Sequence, residues 1–296
     1  MTKPAIGFIG LGLMGAAMVE RLQTLGYAMT VIANRSRAAV DAAVARGAHE
    51  ARTAAELAAA SDVVMMCMDT SASVESRIYE AEGVLAGLKP GAIVVDFGTS
   101  LPGSTLKIGA DIAAAGGIYL DAPLGRTPAH ARQGKLNIMG AGDAAGFARL
   151  RPVLVDLGEN VFHLGPLGTG HTIKLINNFF AMTTACAMSE AFAMADAAGV
   201  SRETLYGVMA AGPLRSGMMD FIRNYAVDGQ VDLAFSLANA AKDVGYYAQM
   251  AEGLGAASRM SGAARTTLTE ALNEGWGDKM VPEMVDFLTG KLTGKA

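Results

Sequence analysis

Ala5-Ile6-Gly7-Phe8-Ile9-Gly10-Leu11-Gly12-Leu13-Met14-Gly15 is an apolar run followed by three glycines in G-x-G-x-x-G spacing, and Ala16 onward has helical composition. Each glycine has a separate physical use. The first permits a tight turn, the second lets backbone approach a pyrophosphate, and the third lets helix and strand pack closely. Free N–H groups at the start of the helix favour an anion. The spacing alone also fits an ordinary glycine-rich turn, but the strand before it and the helix after it point to a dinucleotide cradle. Gly10, Leu11, Gly12, Leu13, Met14 and Gly15 are therefore expected to bind a cofactor.

The same alternation continues outward. Near-continuous apolar runs at 29–32, 63–66 and 92–95 read as strands buried on both faces, and helical segments are expected over roughly 14–25, 37–46, 53–60 and 71–80. Residues 118–120, 136–139 and 161–163 extend the sheet. The class is α/β, a Rossmann-type doubly wound parallel sheet. From Gly170 the pattern changes to an uninterrupted helix ending at Gly199, followed by helical stretches broken at 211–213, 228–229 and 253–255. The expectation is a dinucleotide-binding domain over 1–164 and an all-helical C-terminal domain over 165–296, with the Gly/Pro-rich 164–170 as boundary.

Composition narrows the classes. With 51% hydrophobic residues, 18% charged residues and a net charge of -4, the chain reads as a soluble globular protein without the basic excess that nucleic-acid binding requires. Cys67 and Cys186 lie far apart in apolar runs, which indicates neither a disulfide framework nor a metal site. No stretch resembles a targeting peptide or a membrane span, so a cytoplasmic location without membrane partners is expected.

The end of the second strand normally carries an acid that holds the ribose 2'-hydroxyl. Here the residues are Asn34-Arg35-Ser36-Arg37, and the first carboxylate is Asp41, inside the next helix. A guanidinium and a hydroxyl suit a 2'-phosphate, so NADP is preferred to NAD, with solvated arginines at a helix start as the competing reading. On the long helix, Lys174 and Asn178 are four residues apart and share a face, with Asn177 beside them. Lys174 is a candidate to donate a proton to a carbonyl as hydride arrives, or to remove one from an alcohol. A solvated lysine with a capping amide would also explain the pair.

Five stretches in order resemble the motifs of the β-hydroxyacid dehydrogenases. They are Gly10 to Met18, Val95-Asp96-Phe97-Gly98-Thr99-Ser100-Leu101-Pro102, Asp121-Ala122-Pro123, Gly170 to Asn178, and Ala241-Lys242-Asp243. The resemblance spans essentially the whole chain. It implies a Rossmann-type domain, a helical dimerisation domain and an active site between them. It also implies that Lys174 is the catalytic lysine, that Asn178 is its amide partner on the substrate, and that Thr99 lies beside the nicotinamide. Cys67 and Met68 match backbone that meets the cofactor. Lys242 matches a lysine closing the site from the helical domain, and the resemblance implies that Lys242, Asp243 in the same motif and Phe235 on the same approach also bind the cofactor. The presence of Lys174 weighs against the related imine reductases.

One stretch departs from the family pattern. Many members follow Asp-Ala-Pro with a Val-Ser-Gly-Gly type of run whose serine and amides hold a substrate carboxylate, but here the run is Leu124-Gly125-Arg126-Thr127. The loop resembles the sulfolactaldehyde reductase branch, in which the arginine helps bind a sulfonate. Gly125, Arg126 and Thr127 are then expected to hold an anionic head together with Asn177, Asn178 and Lys242. Pro128 and His130 depart from that branch, and His130 reads as a loop residue. The competing reading of Arg126 is an ion pair.

The expected activity is NADP(H)-linked interconversion of a short anionic aldehyde and its primary alcohol, 3-sulfolactaldehyde foremost. Tartronate or succinate semialdehyde reduction and 3-hydroxyisobutyrate oxidation are the alternatives, and a non-catalytic dinucleotide-binding protein is the alternative of another class. Long apolar helices in the second half suggest a homodimer or homotetramer.

Overall fold

In the computed structural model, β1 (Ile6–Ile9), β2 (Met29–Ile32), β3 (His49–Ala51), β4 (Val63–Met66), β5 (Ile93–Asp96) and β6 (Ile118–Asp121) form a parallel sheet in the order β3-β2-β1-β4-β5-β6. This is the Rossmann order, with the strand sequence reversing between β1 and β4. The structure describes residues 3–34 and 37–294.

Continuous apolar strands follow from burial on two faces. Along β4, Val63 and Met65 face one core while Val64 and Met66 face the other. The first core holds Phe8, Val31 and Val95 against Met18 and Leu22 of α1 (Leu13–Thr24). The second holds Ile9 and Val94 against Leu57, Ile108 and Ile112. Each fully buried side chain of this size contributes about 1.5–3 kcal/mol.

Between the strands run α2 (Ala38–Ala45), α3 (Ala54–Ala60), α4 (Ser71–Tyr79), the short α5 (Val84–Gly87) and α6 (Pro102–Ala114). The edge strand β3 was not expected from the sequence. His49-Glu50-Ala51 is short and half-exposed, so it lacks an apolar run to betray it. Beyond β6 the sheet is mixed rather than parallel throughout. β7 (Leu124–Gly125), α7 (Pro128–Arg132), β8 (Leu136–Gly142), α8 (Ala144–Leu157) and β9 (Gly158–His163) follow, with β8 antiparallel to both β6 and β7 and parallel to β9.

The chain divides into compact units Met1–Lys174 and Leu175–Ala296, so the division by packing runs through α9 (Thr169–Ala198). Hydrogen bonds from the start of α9 to Asp121 keep its first turn with the sheet unit. The second unit contains α10 (Arg202–Ala210), α11 (Gly217–Asp228), α12 (Leu237–Gly253), α13 (Met260–Asn273) and α14 (Met284–Thr293), with no strand among the described residues. Ser201, Ser216 and Ser236 cap α10, α11 and α12, each accepting from the N–H three residues on. The helix ends fall at the expected breaks. Phe192, Ile222, Val244, Leu268 and Val285 fill its core. No helix among the described residues is long and apolar enough to cross a membrane.

Candidate active site

The three glycines of the first turn do different work, and their surroundings show which. A Cβ on Gly10, whose φ is +96°, would lie 2.4 Å from the Cys67 carbonyl oxygen, and one on Gly15 would lie 2.0 Å from the Gly10 oxygen. Both positions exclude any side chain. Gly12 has nothing within 4 Å of where its Cβ would be, so its backbone faces open space. That is the arrangement a pyrophosphate needs: a turn locked from behind and bare in front, at the N-terminus of α1. A Cβ on Gly98 would lie 2.9 Å from the Met68 oxygen, so the residues after β4 and β5 close on the same edge. Cys67 and Met68 are half-buried there, as is Thr99. Leu13 is largely exposed at the helix start, and Met14 packs on the core.

At the end of β2, Asn34 is exposed and its Oδ1 accepts from Arg77 Nη2 of α4 at 3.3 Å. Arg35 and Ser36 lie outside the described residues. Arg37 is turned to carboxylates, pairing with Glu50 at 2.7 Å and Asp41 at 2.8 Å. Arg77 is the basic residue that sequence reading missed here. It comes from a helix more than forty residues on, and no local motif marks it.

Lys174 lies in the second turn of α9, and its Nζ donates to the Leu124 carbonyl at 2.7 Å. Three residues before Leu124 stands Asp121, which the sequence marks as part of a motif without indicating what its carboxylate does. Asp121 ends β6, fully buried, and its Oδ1 accepts from Gly168 N at 2.8 Å while Oδ2 accepts from His171 N at 2.7 Å. The buried His171 ring has Nδ1 2.7 Å from Thr105 Oγ1 and Nε2 3.6 Å from Asp96 Oδ2. Asp96 accepts from Gly98 N and Ser100 Oγ. The Tyr119 phenol sits near both carboxylates. Burial first, then Asp96 and Asp121, push its pKa well above the ordinary tyrosine value, so it stays neutral.

Arg126 follows β7 directly, in the turn that leads into α7. Arg126 has φ +76°, the left-handed region, and is the one non-glycine there among the described residues. Its Nη1 donates to the Lys135 carbonyl at 2.7 Å and pairs with Glu159. That contact, chiefly its hydrogen bond and then its charge, holds the Glu159 carboxyl below the usual range. The Thr127 hydroxyl is 2.8 Å from His130 Nδ1. Gly125 pairs with Asn137 in the β7–β8 ladder. Of the two readings of Arg126, the ion pair is the arrangement seen, and its partner is a residue that the sequence did not suggest.

In the second unit the structure brings together residues noted separately. The buried Asn178 donates from Nδ2 to Asp243 Oδ2 at 2.6 Å, and Lys242 Nζ is 3.0 Å from Asp243 Oδ1. Asn177 is exposed and donates to Asn178 Oδ1 at 3.2 Å. Phe235 packs half-buried on the helical core just before α12.

Residues 5–165 match the family described as the NAD binding domain of 6-phosphogluconate dehydrogenase, and residues 168–288 that described as NAD-binding of NADP-dependent 3-hydroxyisobutyrate dehydrogenase. The chain is 37% identical over 204 residues to an NAD-dependent L-serine dehydrogenase of Pseudomonas aeruginosa, covering 69% of this chain and 68% of that protein. It is 33% identical over 243 residues to a 2-(hydroxymethyl)glutarate dehydrogenase of Eubacterium barkeri, covering 81% and 80%. Among solved structures, a 3-hydroxyisobutyrate dehydrogenase of Mycobacterium tuberculosis with L-serine superposes with a TM-score of 0.84 at 25% identity, covering 97% of this chain and 99% of that one.

Proposed function

From the premise that the chain belongs to the β-hydroxyacid dehydrogenase family and is an NAD(P)-dependent oxidoreductase, we propose that it oxidises the primary hydroxyl of a short β-hydroxy carboxylate, or reduces the matching semialdehyde, with NADP preferred. The observation that carries this reading is Lys174, with its Nζ on the Leu124 carbonyl beside the β6 strand end. Ligands of this fold lie beyond the carboxyl ends of the strands. Hydride exchange is the chemistry a nicotinamide supplies there. Gly10, Leu11, Gly12, Leu13, Met14 and Gly15 would hold the pyrophosphate, and Cys67, Met68 and Thr99 the ring end.

Lys174 takes the hydroxyl proton on oxidation and returns it on reduction, keeping an alkoxide from building up at the reacting carbon. Asn178, Asn177 and Lys242 are proposed to hold the substrate, and Phe235 and Asp243 to border the cofactor; these roles rest on the motif resemblance. The NADP preference rests on the lack of an acid at Asn34-Arg35-Ser36, Arg35 and Ser36 lying outside the described residues, and on Arg77 beside Asn34.

Head-group choice turns on the loop. A guanidinium neutralised by Glu159 offers little net attraction, so Gly125 and Thr127 with nearby amides are left to bind a carboxylate, as in the named substrates of the serine and hydroxymethylglutarate relatives. A second reading, 3-sulfolactaldehyde, is favoured by the presence of Arg126 itself and needs it released from Glu159. Comparing kcat/KM for L-serine, 3-hydroxyisobutyrate, tartronate semialdehyde and 3-sulfolactaldehyde with both nicotinamides tests the choice. About tenfold or greater preference for a carboxylate is expected. Equal or better turnover of the sulfonate reverses the order of the two readings.

A further inference from the structure

We infer that Asp121 is a positioning residue for Lys174, acting through the first turn of α9, with Gly170 as the residue that lets the two segments close on each other. The inference rests on the reading of Lys174 as the acid–base group.

A helix leaves its first N–H groups without intrahelical acceptors, and an anion is favoured at that end. At the start of α9 one buried carboxylate serves two such donors, with Asp121 Oδ1 on the N–H of Gly168, the residue just ahead of the helix, at 2.8 Å and Oδ2 on His171 N in its first turn at 2.7 Å. Three residues farther along each segment, Lys174 Nζ donates to the Leu124 carbonyl at 2.7 Å. Asp121–Leu124 and His171–Lys174 are thus tied at both ends. The ammonium is held relative to the end of β6 and not merely carried on a helix.

The closeness of the two segments has its own requirement. A Cβ on Gly170 would lie 2.3 Å from the Met139 oxygen, 2.8 Å from Asp121 Oδ2 and 3.2 Å from Pro123 Cδ. Two of these neighbours are a backbone carbonyl and a proline ring, which do not swing aside. On the far side, the Thr105 hydroxyl, 2.7 Å from Nδ1, fixes the His171 ring, and with it the N–H that reaches Asp121, while Nε2 stands 3.6 Å from Asp96, beyond hydrogen-bond reach. A buried network of this kind is rigid when complete and costly when one member is removed.

A cap that only stabilised the helix would lower the melting temperature and leave turnover per folded molecule unchanged. A positioning device lowers kcat while cofactor affinity holds. The test uses Gly170→Ala, Thr105→Val and Thr105→Ser in the full chain, with kcat, KM, Tm and NADPH affinity by fluorescence titration. Displacing a reacting group by about 1 Å costs on the order of 100-fold, so Gly170→Ala is expected to lose about 30- to 100-fold in kcat with the NADPH Kd within about twofold. Thr105→Val is expected to lose about fivefold, and Thr105→Ser, which keeps the hydroxyl, to recover it.

The inference is overturned if Thr105→Val, or a folded Gly170→Ala, melts earlier but keeps kcat within twofold, or if Thr105→Ser is no better than Thr105→Val. A Lys174→Ala control separates the two levels. If it is inactive while the other variants keep kcat, the positioning role alone falls. If it is fully active, the reading of Lys174 falls and the inference with it.

Discussion

Two turns leave the carboxyl ends of strands in the first unit, and both contain a residue with positive φ: Gly10 at +96° after β1 and Arg126 at +76° after β7. They reach that backbone by different means. At Gly10 the neighbouring Cys67 carbonyl occupies the place of a side chain, so glycine is the one residue that fits. At Arg126 an L side chain accepts a conformation costing about 1–2 kcal/mol, offset by the bond to the Lys135 carbonyl and the pair with Glu159. The first turn is fixed by main-chain packing and suits a part common to every substrate. The second is held by side chains and can be retuned by one replacement, which suits the part that selects the head group.

The strongest way to break the contrast is to put a side chain in the first turn. Gly15→Ala would place a Cβ 2.0 Å from the Gly10 oxygen and 2.9 Å from the Phe8 ring, so the turn must move. We expect NADPH affinity to fall about 100-fold in isothermal titration, the scale of an interaction lost from a preformed anion cradle. Unchanged affinity would mean the turn is no more constrained than its counterpart.

Releasing the second turn is the next largest effect. Glu159→Gln removes the charge facing Arg126, and a charge-assisted hydrogen bond to a substrate anion contributes about 1.5–3 kcal/mol. The ratio of kcat/KM for 3-sulfolactaldehyde over a carboxylate aldehyde should rise about tenfold. No change in that ratio would place Arg126 outside head-group selection.

Arg126→Gly is expected to be the mildest. Relief of the left-handed strain and loss of a half-exposed ion pair nearly cancel, so Tm should move by no more than about 3 °C by calorimetry. A pH series sharpens this. Arg126 depresses the Glu159 carboxyl, so the pair's contribution is fully present above the ordinary glutamate range and is lost as pH falls through the depressed value. The Tm difference between wild type and Arg126→Gly should stay constant from neutral pH down to that range and change below it. A change near neutrality would contradict the assignment.

What was legible in the sequence follows the same division. The Gly10–Gly15 turn, the strands around it and the long helix were readable because their causes are local: glycines without room for a Cβ, apolar runs buried on two faces, an unbroken helical stretch. β3 was not, since His49 and Glu50 are polar and leave Ala51 as the one apolar residue of a three-residue edge strand. The Arg126 loop was noticed for its charge, yet its partner Glu159 is 33 residues away on β9 and only the fold reveals it. Asp121 was visible as part of a motif, but its use depends on N–H groups 47 and 50 residues on. His171, three residues before Lys174 in a helix opened by glycines, carried a faint signal that spacing alone did not decode.

The claim on which the rest depends is that Lys174 moves the proton. Replacing it with alanine and measuring kcat alongside NADPH binding by fluorescence tests this directly. A positioned acid–base group contributes about 100- to 10,000-fold, so kcat should fall by about 1,000-fold while the NADPH Kd stays within about twofold. A Lys174→Ala enzyme that binds NADPH and turns over at the wild-type rate would contradict the account.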